Sequence, residues 1–381
     1  MQIDVSDIVN YTRYNQQPNH VKFVGKIVGE LILALNSTSP KESTFTRLDE
    51  IFKNVDWRES FIRPLIILHF EFLHNETVVY IHEWLRQKCA DIENISIVSS
   101  ESHLKKWWNN WCSSMHQKSF SIIELLYIYT DTCINMTFGG NSLIDNPNIV
   151  DEKLNNLNYH YSYYAGTQHF NERTYIGLRV AELIDYCLFD SMYKLPDKQS
   201  IIDYVEEISY YKDQPTIELI SNTYDKIVVD GNFKTTSIKT RSQHRYENFE
   251  FNNFIWSNDQ CCFANIARET KQDCPYSAIT EKSLRPFWYH NMCIPLCYLS
   301  VDSLEEYGFK FPHDIFDYSY QYEKDFHTRI TKLINSLTLF VKDNTIQHLR
   351  NYYVNHLGDF MHNARTVKGM ATLSEHLYKG T

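Results

Sequence analysis

The sequence is first informative in what it lacks. No apolar run exceeds about five residues, while a membrane-spanning helix needs about 20. The N-terminus is polar and carries no signal-peptide pattern. Neither G-x-G-x-x-G nor G-x4-G-K-[ST] occurs, which counts against the dinucleotide and P-loop nucleotide-binding classes. There is no Asp-x-Asp pair, so a metal held by that motif is not expected and the metal-site expectation is none. No internal repeat and no low-complexity tract occurs. Positive charge is not in excess: the net charge is −10, which excludes general affinity for nucleic acid and leaves room only for a local basic patch. The nine cysteines are an odd, scattered set. They read as small core thiols of a reducing, cytoplasmic protein. Cys293 and Cys297 lack a second ligand pair and do not read as a zinc site.

Hydrophobic content of 43% and charged content of 22% are globular values, and 381 residues suffice for two domains. Val21, Val24, Ile27, Val28, Leu31, Ile32 and Leu35 recur at helical spacing, predicting a helix over 20–36 within a helical extension, 1–60. Strands are expected at Pro64–Phe70 and Ile95–Ser99, with helices at Glu76–Cys89 and Ser102–Trp111 and a short strand or helix at Ile122–Tyr129. Gly139 to Asn148 is turn-rich and marks a linker. Asn158–Ala165 then reads as a strand, Glu172–Leu188 as a helix and Ile227–Val229 as a short strand. Strands alternating with helices predict parallel sheets.

The stretch Cys261–Ser300 concentrates the chemistry. Cys261–Ala267 reads as a buried strand, Thr280 as an N-cap, Ile279-Thr280-Glu281-Lys282 as a helix start, and Ile294–Leu299 as the next strand. In such a unit the strand end and the helix N-terminus favour an anion such as a phosphate. Lys282 and Arg285 supply positive charge, and Glu269 and Glu281 are carboxylates suited to sugar hydroxyls. Two readings fit these residues: a nucleotide diphosphate site, or an exposed first turn carrying ordinary charges. Pro286 removes one hydrogen bond from that helix, to Lys282, so a later start or a kink is expected.

The pattern ARET, ITEK, PLCYLS resembles the signature of alpha-1,3-fucosyltransferases, in which F-E-N-S precedes Y-[IV]-T-E-K and then P-V-V-Y. It is still more similar to a group of bacteriophage-encoded glycosyltransferase-like proteins. Their F-I-T-E-K-T-x-K-P, P-F-I-I-x-G, L-x-x-L-G-F-K and D-E-S-Y-D correspond here to ITEKSLRP, IPLCYLS, LEEYGFKF and DIFDYSYQ. The glycine that usually follows the second strand is absent at Leu299-Ser300-Val301. The resemblance implies that Glu281 and Lys282 hold the ribose and phosphates of a nucleotide sugar, with Glu269 beside them. It also matches Arg173, in GTQHFNERTYIGLR, to a basic residue that contacts the diphosphate, with Arg179 a weaker match and the usual proline missing.

Three further groups carry two readings each. His69 and Glu71 share one face at the end of the first strand. They are either an acceptor base with its positioning partner, or a strand-end pair that caps or salt-bridges. Lys105-Lys106-Trp107-Trp108 is either a basic–aromatic platform or helix packing. Lys234, Lys239, Arg241 and Arg245, with no acid between them, form either a solvated loop or a phosphate-contacting one. Downstream, a short helix at Asp302–Tyr307 is stopped by Gly308. A long helix follows with Phe326, Ile330, Leu333, Ile334, Leu337 and Phe340 inward, then one or two helices over 344–378.

Together these readings predict an α/β protein of GT-B type, two Rossmann-like parallel-sheet domains facing across a cleft with extra N- and C-terminal helices. The expected divisions are 61–155 for the acceptor domain, 156–340 for the nucleotide-sugar domain and 341–381 for helices packing back. The expected activity is metal-independent transfer of a sugar from a nucleotide-diphosphate donor, with no separate cofactor and no membrane partner. The acceptor is a hydroxymethylated base of duplex phage DNA or a surface glycan. A non-catalytic protein that retains the fold is the other class.

Overall fold

The computed structural model describes residues 22–23, 41–51, 65–68, 75–88, 92–99, 101–102, 104–124, 148–165, 171–191, 197–208, 214–229, 234–235, 261–267, 277–279 and 281–379. The chain divides into two compact units. One comprises Met1–Asn135, Cys274–Glu281 and Gly369–Thr381, the other Met136–Asp273 and Lys282–Lys368.

The first unit contains β1 (Lys22–Phe23), α1 (Lys41–Ile51), β2 (Leu65–Leu68), α2 (Asn75–Gln87), β3 (Ile95–Ser99), β4 (Glu101–Ser102), α3 (Leu104–Ser114) and β5 (Ser121–Glu124). Its four-stranded sheet runs β1-β2-β3-β5 with every pair parallel. Ile97 sits opposite Ile67 on one side and Ile122 on the other. β-branched residues in register are what a pleated, covered sheet accommodates best. Helix α2 turns Val78, Ile81, Trp84 and Leu85 inward, and α3 turns Leu104, Trp108 and Cys112 inward. Those spacings place each set on one helical face. The short β4 pairs antiparallel with Ser277–Ala278, strand β10 in chain order.

The second unit contains α4 (Ile149–Asn156), β6 (Tyr159–Ala165), α5 (Asn171–Val180), a 3-10 turn at Ala181–Tyr186 and β7 (Cys187–Ser191). Then come α6 (Lys198–Ile208), α7 (Gln214–Val229), β8 (Lys234–Thr235), β9 (Cys262–Ala267), α8 (Glu281–Trp288) and β11 (Met292–Pro295). The remainder is α9 (Ser300–Glu306), α10 (Phe326–Asp343), α11 (Ile346–Asn355) and α12 (Leu357–Lys379), of which the residues from Gly369 on are counted with the first unit. Its five strands lie in the order β11-β9-β6-β7-β8, all parallel. Every residue of β9 is buried, as expected of a central parallel strand covered on both faces. Helix α10 buries Ile330, Leu333 and Leu337 completely, at roughly 1.5–3 kcal/mol each. Asp325 caps it by accepting from Thr328 N at 2.8 Å.

Two parallel sheets in one α/β chain give the Rossmann-like, GT-B-like class expected from the sequence. Strands at 65–68, 95–99, 159–165 and 262–267, the helices within 281–343 and the helices of the C-terminal segment agree with the sequence reading. Several elements differ. Lys22–Phe23 is a strand paired with Leu65–Ile66, not the start of a helix; the rest of the predicted 20–36 helix lies outside the described residues. Glu101–Ser102 is a strand, so the following helix starts at Leu104. The helix expected over Glu172–Leu188 ends at Val180, and Cys187–Ser191 is strand β7. Ile227–Val229 is the last turn of α7 rather than a strand; β-branching lowers helix propensity only slightly and does not by itself end a helix.

Helix α8 keeps its eight residues with Pro286 inside it, since only the last turn loses a bond. It ends at His290, in the left-handed region at φ 56. His290 N donates to Phe287 O at 3.1 Å and Asn291 N to Pro286 O at 2.9 Å, a Schellman ending with histidine in place of glycine. Helix α9 ends the same way with Gly308 at φ 90, Gly308 N bonding Glu305 O and Phe309 N bonding Leu304 O. The strand predicted to reach Leu299 stops at Pro295, and Leu299 is left-handed at φ 54. Gln321 takes over the cap that Leu299 cannot provide: its Oε1 accepts from Val301 N at 2.9 Å and Asp302 N at 3.2 Å. No helix among the described residues is long and apolar enough to cross a membrane.

Candidate functional site

Read from β8, the strands of the second sheet run 3-2-1-4-5 in that unit's own chain order. Chain order therefore reverses between β6 and β9, which are hydrogen-bonded neighbours, Ser162 opposite Asn265. In open parallel sheets the carboxyl ends of the strands flanking such a switch point form the ligand crevice. Two of the segments singled out in the sequence leave those two ends. Beyond Ala165 of β6 the chain enters α5, whose first turn carries Arg173. Beyond Ala267 of β9 it passes Glu269 and reaches α8, which opens with Glu281 and Lys282.

Helix α8 is strongly two-sided. Ser283, Leu284, Phe287 and Trp288 are buried, and Phe287 stacks on Phe309 at 4.5 Å. Cys293 of β11 donates its thiol to Ser283 O at 3.3 Å. Lys282 and Arg285, half-buried, stand three residues apart and share a helical face. Their charges thus belong to one side of a helix whose other side is fixed in the core. The first turn of a helix leaves amide donors without partners inside the helix, and its dipole end is positive.

Not every predicted residue can be placed. His69, Glu71, Glu269, Thr280, Lys239, Arg241 and Arg245 lie outside the described residues. Lys234 falls in β8, one of the two edge strands of the second sheet as described. Of the tryptophans after Lys105 and Lys106, Trp108 is fully buried. Its ring stacks on Trp111 at 5.1 Å and Phe120 at 4.5 Å, and its Nε1 donates to Phe120 O. That indole is core. Arg179 is engaged locally: it pairs with Glu182 of the following 3-10 turn at 2.5 Å and donates to the Tyr175 hydroxyl of α5 at 3.2 Å. Burial raises the Glu182 pKa, opposed by that arginine.

Two buried polar groups escaped the sequence reading. Arg329 is 1% exposed and donates to the carbonyls of Leu296 (3.0 Å), Glu323 (2.6 Å) and Lys324 (3.2 Å). Leu296 follows directly on β11, so this guanidinium anchors the carboxyl end of that strand to the start of α10. Its position one turn before the inward Leu333 was the available signal. The second group is a chain through the middle of the sheet. Lys153, 1% exposed, donates to Cys262 O and to Asn291 Oδ1. Asn291 Nδ2 donates to Asn265 Oδ1, and Asn265 Nδ2 to Ser162 Oγ at 2.5 Å. Ser162 and Asn265 belong to the two strands that flank the switch point.

The larger cavity described, about 470 Å³, is elsewhere; it is lined by Asp314, Asp317 and Asp343 among others and reaches Asn344. The Asn344 carbonyl accepts from His160 Nε2 at 2.6 Å, near the amino end of β6. It is therefore not the switch-point crevice.

No family model matches the chain, and no curated protein matches it. Among solved structures, an alpha,alpha-trehalose-phosphate synthase (UDP-forming) from Burkholderia vietnamiensis aligns over 89% of this chain and 76% of its own. The TM-score is 0.39 at 10% identity. An alpha,alpha-trehalose 6-phosphate synthase from Burkholderia multivorans aligns over 88% of this chain and 76% of its own, with a TM-score of 0.32 at 8% identity.

Proposed function

We propose that the protein is a glycosyltransferase that moves a sugar from a nucleotide-diphosphate donor to an acceptor hydroxyl. One observation carries this reading. The strand order puts the switch point between β6 and β9, and the Arg173 helix and the Glu269–Lys282 segment leave those two adjacent strands. In this reading the acceptor oxygen bonds to the anomeric carbon as that carbon's bond to the diphosphate oxygen breaks. Negative charge grows on the departing diphosphate, and fixed cations there lower the barrier. Lys282, Arg285 and Arg173 supply them, taking the part that a metal held by an Asp-x-Asp pair plays elsewhere. Glu281 and Glu269 accept hydrogen bonds from the ribose hydroxyls. Glu71 takes the acceptor proton, with His69 positioning it.

The proposed acceptor is a hydroxymethylated base of duplex DNA. Its support is the run Lys234, Lys239, Arg241 and Arg245 without an intervening acid, against a net charge of −10 that confines any phosphate contact to that segment. Release of nucleoside diphosphate from a nucleotide sugar, in the presence of modified duplex, tests the reaction. Glu71→Gln is expected to lower kcat by about a hundredfold with donor binding intact. Donor binding without turnover under any acceptor would instead indicate a non-catalytic protein that kept the fold. Salt-dependent duplex binding lost in Lys239→Glu with Arg241→Glu supports the DNA acceptor, and its absence at low salt removes it.

A further inference from the structure

A second cavity, about 200 Å³, opens beside the first residues of β11 and is lined by residues of α8, α11, α12 and the segment after Gly308. Its size is that of a single ring: an apolar cavity of about 150 Å³ accommodates benzene. Aromatic side chains form its inner part. Phe287, Phe311 and Phe360 are all nearly buried, and the first two meet edge to face at 5.6 Å.

The mouth is polar and of mixed sign. Lys310 Nζ pairs with Asp359 at 2.5 Å, and His356 Nδ1 lies 3.8 Å from the same carboxylate. The Tyr352 hydroxyl donates to Asp314 Oδ1 at 2.6 Å, and the Tyr352 ring stacks on His356 at 4.1 Å. Lys310 is held in place by its main chain: its N–H donates to Asn363 Oδ1 at 2.8 Å, and Asn363 Nδ2 donates back to its carbonyl at 2.7 Å. The charged rim is thus built on a fixed backbone.

Mixed donors and acceptors over an aromatic floor select among ligand classes. A carboxylate accepts up to about four hydrogen bonds and an ammonium donates three, so each rim group has capacity beyond its described partner. An anion would meet Asp314 and Asp359. An organic cation would meet Lys310. A bare hydrocarbon ring would strip water from the rim and leave it unpaired. A neutral polyol both donates and accepts, and its C–H face packs on phenyl rings. We propose that this cavity is a carbohydrate site sized for one pyranose ring, separate from the switch-point crevice and independent of the transferase reading.

The test is ligand-observed NMR and calorimetry on the full chain, with the methyl glycosides of glucose, galactose, mannose and N-acetylglucosamine as probes. Saturable binding of at least one is expected. Lys310→Met and Asp314→Asn should each weaken it by roughly tenfold, about 1.4 kcal/mol. Lys310→Met removes only an exposed pair, so its melting temperature should stay near that of the parent and keep the comparison valid. Excess nucleoside diphosphate should not displace the sugar. The proposal is overturned by absence of saturable binding with all four probes or by binding undiminished in both variants. Displacement by nucleoside diphosphate, or tighter binding of benzoate or tetramethylammonium than of any glycoside, overturns it equally.

Discussion

Lys153 and Asn291 stand 138 residues apart in the chain, and inside the second unit the lysine ammonium donates to the asparagine side-chain oxygen. The same ammonium reaches Cys262 O, and the asparagine passes the network on to Asn265 and Ser162. A buried ammonium is costly unless its donors are used, and here it joins α4 to the start of β9 and β11.

Replacing Lys153 by methionine keeps the volume but leaves the Cys262 carbonyl and Asn291 short of a buried donor. Each such loss costs roughly 1–3 kcal/mol. Lys153→Met should lower unfolding free energy by about 3 kcal/mol in urea titration. A change within about 0.5 kcal/mol would mean that the network contributes nothing net.

His290 gives stability a pH dependence. Burial first, then the Lys153 and Arg365 charges, push its pKa down to about 4, whereas an unfolded imidazole titrates near about 6.5. Between those values the unfolded chain binds a proton that the folded chain refuses. Stability is therefore full above the unfolded value, falls as pH drops, and stops falling below about pH 4, a loss of about 3 kcal/mol. His290→Asn, which tolerates the left-handed backbone, should flatten that part of the profile. Equal slopes in the two proteins between pH 7 and 4.5 would contradict the assignment.

Gly308 and His290 occupy equivalent positions in two Schellman endings. A Cβ at Gly308 would meet nothing within 4 Å, so Gly308→Ala isolates the backbone cost of φ 90. The expected loss is about 1–2 kcal/mol, read from denaturant midpoints. An unchanged midpoint would show that the turn relaxes.

Arg329 holds three carbonyls that lysine, lacking the planar fork, cannot reach together. Arg329→Lys should cost about 2–4 kcal/mol, since buried acceptors lose a charged donor. Amide hydrogen exchange should rise at Leu296–Leu299 and at the start of α10. Uniform exchange across the unit would point to global destabilisation alone.

The legible parts of the fold are those that local chemistry determines. Ile95–Ser99 and Cys262–Ala267 are short runs rich in apolar residues, and Gly308 ends α9 because its φ asks for glycine. Ile227–Val229 misled because its β-branched side chains fit a helix end as well as a strand. Leu299 misled because nothing local announces a left-handed leucine; Gln321, from a later segment, stabilises it. Among the candidate segments, the helix that carries Lys282 in its first turn and Arg285 in its last was legible from its start signal. The Lys153–Asn291–Asn265–Ser162 chain was not, since its members are ordinary polar residues until the sheet brings them together.

The most direct test of the switch-point site is thermal stabilisation of the purified protein by a panel of nucleoside diphosphates and nucleotide sugars. The account predicts a melting-temperature rise with one nucleotide family, corresponding to about 2.7 kcal/mol at a hundredfold excess over Kd, and its loss in both Glu281→Ala and Lys282→Ala. No rise with any nucleotide, in a folded sample, would contradict it and leave the ITEK segment a feature of the fold alone.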